Sequence, residues 1–185
     1  VADEFLEEAK RKMANAVAAT EREFASIRTG RASVSLLDRL SVESYDQRMP
    51  LKQLATVSVP DARTIVVQPW DKSIVKDVER AIYQSDLGLT PTSDGTVIRI
   101  NIPSLTEERR RDLAKLVRKL AEEGKVAVRR ARGDANKAIK SAQKDGALSE
   151  DDAQRLMEKV QEFTDRYIEQ VDTLLRAKQE EIMEI

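Results

Sequence analysis

The sequence predicts an α+β protein, a long three-helix bundle interrupted by a small inserted β/α/β sandwich domain. Three observations carry that expectation. Charged residues make up 35% of the 185 and aromatics 4%, a balance that suits long amphipathic helices better than a broad β-rich core. Three long stretches place apolar residues at three- and four-residue steps, the signature of a helix with one buried face. The segment after the first of them holds short β-rich runs, and all five prolines lie in it or at its exit: Pro50, Pro60, Pro69, Pro91 and Pro103.

The first helix spans about 3–28, with Phe5, Ala9, Met13, Ala16, Val17, Thr20, Phe24 and Ile27 on its apolar side and Thr29-Gly30 ending it. The second long helix follows Pro103-Ser104. Thr106 is its N-cap and Glu107 and Glu108 complement the dipole in the first turn. Its stripe runs through Leu113, Leu116, Val117, Leu120, Gly124, Ala127, Val128, Ala131, Ala135, Ala138 and Ala142, and Lys144-Asp145-Gly146 stops it. Ser149 caps the last helix, whose stripe is Ala153, Leu156, Val160, Phe163, Tyr167, Val171 and Leu174.

The insert reads differently. Strands are expected at 40–45, 55–59, 64–68 and 96–102, with hairpin turns at Asp46-Gln47 and Ser93-Asp94-Gly95. One helix, 73–86, presents Ile74, Val75, Val78, Ile82 and Tyr83 and is closed by Leu87-Gly88. The expected division is therefore 1–29 with 105–185 for the bundle and 30–104 for the inserted domain. The chain crosses between them twice, at Thr29, Gly30 and Arg31 and again at Pro103, Ser104 and Leu105, with Thr106 opening the helix. A paired crossing of this kind is a candidate hinge. Trp70 is expected to pack against the inserted sheet, since large aromatics mostly bury, although base stacking is the functional alternative. Tyr45 is expected to be exposed.

Composition narrows the chemistry. There are no cysteines and no histidines, which removes disulfide frameworks, thiolate and imidazole metal sites, and nucleophile–histidine triads. Adjacent carboxylates such as Glu122 and Glu123, or Asp151 and Asp152, point about 100° apart on a helix and cannot converge on one substrate atom. No catalytic residue, metal site or cofactor is expected, and the chain is not read as an enzyme. The acidic first eight residues do not read as a signal peptide, and no apolar run approaches membrane-spanning length. A cytoplasmic protein is expected.

Charge is the remaining signal. The chain sums to −1, yet residues 105–146 hold thirteen basic residues against seven acids, and 149–185 hold eleven acids against five bases. Arg111, Arg118, Lys125 and Arg132, spaced by sevens, stay nearly aligned on one helix face, and Arg129 and Asn136 join them. With Arg110 at the helix start, these are the candidate RNA-binding residues. The bland alternative is a solvated face neutralised by the acids of the last helix. Arginine outnumbers lysine seven to three from Arg109 to Arg132, and the guanidinium fork suits phosphate, so nucleic acid is the favoured partner. A helical protein–protein scaffold is the runner-up. One apolar stripe per helix leaves no spare seam for it.

Several motifs in order resemble one family over the full length of the chain. Ile27-Arg28-Thr29-Gly30-Arg31-Ala32 resembles its exit from the first helix, and Asn101-Ile102-Pro103-Ser104-Leu105-Thr106-Glu107-Glu108-Arg109-Arg110 its re-entry. Ser85-Asp86-Leu87-Gly88-Leu89, Thr92-Ser93-Asp94-Gly95 and Val128-Arg129-Arg130-Ala131-Arg132-Gly133-Asp134-Ala135-Asn136 resemble the inserted domain and the basic helix. The family is ribosome recycling factor. The resemblance implies an L-shaped monomer whose helical stem lies on large-subunit ribosomal RNA through the basic helix, at Arg129 and Arg132 in particular. It also implies elongation factor G and GTP as collaborators in splitting post-termination ribosomes and releasing mRNA and tRNA, with no DNA or membrane partner. Gly133 stands where the family usually has a basic residue, and it costs the helix about 1 kcal/mol relative to alanine.

Overall fold

The computed structural model describes residues 2–184. They form two compact units: the chain up to Arg28 together with Thr106–Glu184, and Thr29–Leu105.

The first unit is three helices. Helix α1 (Ala2–Ala25) buries Ala9, Met13, Val17, Thr20 and Phe24. It ends four residues earlier than Thr29: the amide of Ile27 turns back to the Phe24 carbonyl at 3.1 Å, a tightened last turn, and Gly30 with φ +77° bends the chain beyond it. Helix α3 (Glu107–Lys144) starts as expected, the Thr106 side chain accepting from the Arg109 amide, and α4 (Glu150–Met183) starts with Ser149 accepting from the Asp152 amide. The connection between α3 and α4 turns at Gly146, φ +80°. Apolar rows from the three helices meet in one core whose fully enclosed side chains include Met13, Leu113, Ile139 and Ile182.

The second unit places α2 (Val75–Gln84) with a β-hairpin and a four-stranded sheet. The hairpin pairs β1 (Ser41–Ser44) with β2 (Gln47–Pro50), Val42 opposite Met49. Its turn residues are Tyr45 and Asp46, both at positive φ (52° and 63°), one position earlier than the sequence suggests. The register decides this, because the pair Ser44–Gln47 leaves two residues for the tip. The antiparallel sheet runs β3 (Ala55–Asp61), β4 (Thr64–Pro69), β6 (Ile98–Asn101), β5 (Pro91–Ser93). Two strands beyond those expected, β2 and β5, are short and each contains a proline, Pro50 or Pro91, as strands with a free edge tolerate. Alternation sends Ile65, Val67, Ile98 and Ile100 inward, where they pack in one cluster with Ile74, Val78 and Ile82 of the helical segment.

The same alternation overturns the expectation for Trp70. Ile65, Val67 and Pro69 take the inward side of β4, so Gln68 and Trp70 face out. The indole is 66% exposed, and its Nε1 donates to Thr56 Oγ1 at 2.9 Å. Tyr45 is exposed as expected, its hydroxyl 2.7 Å from Ser73 Oγ.

Candidate nucleic-acid interface

The interface is built on α3, a rod of 38 residues and so about 57 Å long. The row it buries is Leu113, Val117, Ala121, Gly124, Val128, Ala131, Ala135 and Ile139. This differs from the expected stripe at its margins: Leu116 is 40% exposed and Ala138 is exposed, while Ala121 and Ile139 take core places. At about 100° per residue, Lys115, Lys119, Arg130, Lys137 and Lys140 lie within about 40° of the direction opposite that row. All five are exposed. They were visible in the sequence as part of the basic run. Finding them as the outward centre needed the true position of the buried row.

The seven predicted RNA-binding residues divide into three groups. Arg111, Arg118 and Arg129 are exposed. Arg111 and Arg118 have no ion-pair partner among the described residues, and Arg129 Nη1 reaches Glu122 Oε1 on its own helix at 3.2 Å. Arg132 is half-buried on the flank facing α4, where Nη1 donates to Gln161 Oε1 at 3.3 Å.

The last three are half-buried. Lys125 is ion-paired with Asp172 of α4, and its side chain is only 19% exposed. Arg110 is half-buried with its Nε enclosed and unmatched by any acceptor among the described residues, and Asn136 Oδ1 is enclosed in the same way. For Lys125 an outward, phosphate-facing position is corrected; Arg110 and Asn136 are half-buried on the flanks of the rod. The physical reason is the seven-residue spacing itself. Arg118, Lys125 and Arg132 each follow a buried residue (Val117, Gly124, Ala131), so the row flanks the apolar seam, where side chains reach across to a neighbouring helix. Arg110 shares the side of Leu113 and Val117, three and seven residues on.

Neutralisation of the outward face is nevertheless sparse. Among the described residues, Lys125 is the one α3 cation that pairs with an α4 carboxylate. The Cβ direction of Gly133 opens onto empty space, so its loss of a side chain leaves a gap in the cationic surface. Among the described residues no cluster of acidic side chains could hold a metal ion, and no helix is long and apolar enough to cross a membrane.

At the two crossings, Gly30 packs against the returning strand: a Cβ there would meet Leu105 Cγ and the Pro103 carbonyl oxygen, each at 3.3 Å. Thr29 is buried, whereas Arg31, Pro103 and Ser104 are exposed and Leu105 is half-buried.

Comparison with known proteins fits this architecture. The family model for ribosome recycling factor matches residues 20–183. The chain belongs to the ribosome recycling factor family. Among relatives, the ribosome-recycling factor of Halalkalibacterium halodurans is 59% identical over 98% of both chains, and that of Bacillus subtilis 50% identical over 98% of both. A solution structure of a ribosome recycling factor superposes with a TM-score of 0.75 at 41% identity, covering all of this chain and 98% of the other. Models for the T. thermophilus ribosome recycling factor and the E. coli elongation factor G bound to the E. coli post-termination complex give a TM-score of 0.65 at 44% identity, with both chains fully covered. Members of this family are not enzymes.

Proposed function

We propose that this chain recycles ribosomes: it binds the post-termination ribosome on large-subunit ribosomal RNA and, with elongation factor G and GTP, promotes splitting into subunits and release of mRNA and tRNA. The observation that carries the RNA contact is the outward side of α3, where Arg111, Lys115, Arg118, Lys119, Arg130, Lys137 and Lys140 are exposed over much of the rod. Phosphate attracts such a face without base-specific contacts, and the shape of a long rod selects where on folded RNA it can lie. Arg129 and Arg132 belong to the same surface at its edges. The helical unit acts as the RNA-bound stem and the smaller unit as the part elongation factor G moves, with 29–31 and 103–106 as the hinge. Action on ribosomes places the protein in the cytoplasm, as a monomer with no DNA or membrane partner and no cofactor.

Salt titration tests the electrostatic claim. Affinity for isolated large subunits is expected to fall steeply with ionic strength, with a log–log slope set by several phosphate contacts. A flat response would remove the basis for the α3 assignment.

A further inference from the structure

Arg132 differs from every other cation on α3 in the kind of partner it has. Lys125, one heptad earlier, is ion-paired with the Asp172 carboxylate, and Arg129 with the exposed Glu122 of its own helix. Arg132 instead donates from Nη1 to the side-chain carbonyl of Gln161 on α4, 3.3 Å away. That amide is itself held. Gln161 Nε2 donates to Asp165 Oδ1 at 2.8 Å, one turn further along α4. With the NH2 end committed to a carboxylate, the oxygen end of the Gln161 amide is left facing the arginine.

The chain of groups has a chemical logic. A guanidinium has five N–H donors, and a single bond through Nη1 leaves four for an incoming anion. A carboxylate placed directly against Arg132 would orient it equally well and also cancel its charge. A neutral amide in between transmits the orientation and keeps the cation available for a bidentate phosphate contact. Both supporting residues are exposed and project from one continuous helix four positions apart, so their backbone anchors are held in fixed relation by α4.

We propose that Gln161 and Asp165 are positioning residues that hold the Arg132 guanidinium in a phosphate-ready orientation without neutralising it. The inference rests on the reading of α3 as the RNA-binding face. Ordering a long side chain before binding reduces the entropy lost on contact, so the effect belongs in affinity rather than in fold stability.

The test uses the full chain and isolated large ribosomal subunits. Gln161→Met keeps the length of the side chain and removes both hydrogen bonds. It is expected to weaken binding about three- to tenfold, the range for losing one ordered side chain at an interface. In an Arg132→Ala background the same change should alter affinity by less than about twofold, since separated or already broken contacts do not couple. Gln161→Glu should weaken binding as well, although it makes a stronger bond to Arg132, because it cancels the charge; a purely structural role would let glutamate substitute for glutamine. Unchanged binding in Gln161→Met while Arg132→Ala binds poorly would overturn the positioning role alone. Equal losses in both backgrounds would overturn it too. Unchanged binding in Arg132→Ala would overturn the underlying assignment of that arginine to the RNA face.

Discussion

Gly124 of α3 lies against the hydroxyl of Thr20 on α1 so closely that a Cβ at 124 would overlap Thr20 Oγ1. Thr20 is buried and donates to the Ala16 carbonyl at 3.0 Å, so the hydroxyl is satisfied within its own turn. The pair sets the approach of α1 to α3, and with it how far the basic rod stands out from the bundle. Gly124→Ala should therefore destabilise the protein despite alanine's better helix propensity. The overlap costs about 1–3 kcal/mol against a propensity gain of about 1, for a net loss of up to about 2. Adding Thr20→Ala should recover much of it, because the hydroxyl and methyl in the way are gone. Urea unfolding of both variants checks the sign.

Lys125 and Asp172 make the converse case, a cation of the predicted row used for structure. Lys125→Ala should lower stability by about 1 kcal/mol, since the pair is partly shielded from solvent. Binding to large subunits should change by less than twofold. A large binding defect with unaltered melting would return Lys125 to the RNA face.

Arg118 and Arg130 are exposed and free of ion pairs among the described residues, so removing either should act on RNA contact alone. Each alanine variant is expected to reduce the slope of log affinity against log salt by about 0.7–0.9, one phosphate's worth of released counterion. Thermal melting should not move. Melting curves and filter-binding titrations at several salt concentrations separate the two effects.

Gly30, at φ +77°, occupies a conformation that side chains resist, and its Cβ position is already tight against Leu105 and Pro103. Gly30→Ala should cost about 1–3 kcal/mol in the stability of the smaller unit. If that unit moves during splitting, the variant should slow subunit separation with elongation factor G more than it weakens binding. Rapid light-scattering of splitting, set beside equilibrium binding, distinguishes these.

Asp94 organises the β5–β6 turn. Its carboxylate accepts from the amides of Val97 and Thr96 and from the Thr96 hydroxyl, and these bonds lower its pKa from 3.8 to about 2. A carboxyl held below its ordinary value contributes stability that is complete above about pH 4 and disappears as pH falls toward 2. In Asp94→Ala that share of the acid sensitivity between pH 4 and 2 should vanish, as followed by fluorescence of Trp70 in the same unit.

The separate fates of Lys125 and Arg118 show where sequence reading stops. Both sit seven residues from their neighbours in the basic row and both follow a buried residue, yet Lys125 reaches an acid on α4 and Arg118 finds none. Periodicity fixes which side of a helix a residue occupies, not what the next helix holds opposite it. Trp70 teaches the same lesson in a strand. Its size argued for burial, but the parity of β4 was set by Ile65 and Val67, and parity overrode size.

Sequence by itself determined the α+β class, the caps Thr106 and Ser149, the long basic rod and the absence of cysteine and histidine chemistry. These are legible because capping, amphipathic period and composition act within a few residues of chain. Tertiary structure alone decided the outward centre at Lys119 and Arg130, the pairing of Lys125 with Asp172, and the Gln161–Arg132 support. Those depend on rotation of one helix against another, which is set by packing contacts such as Thr20 against Gly124, about a hundred residues apart along the chain.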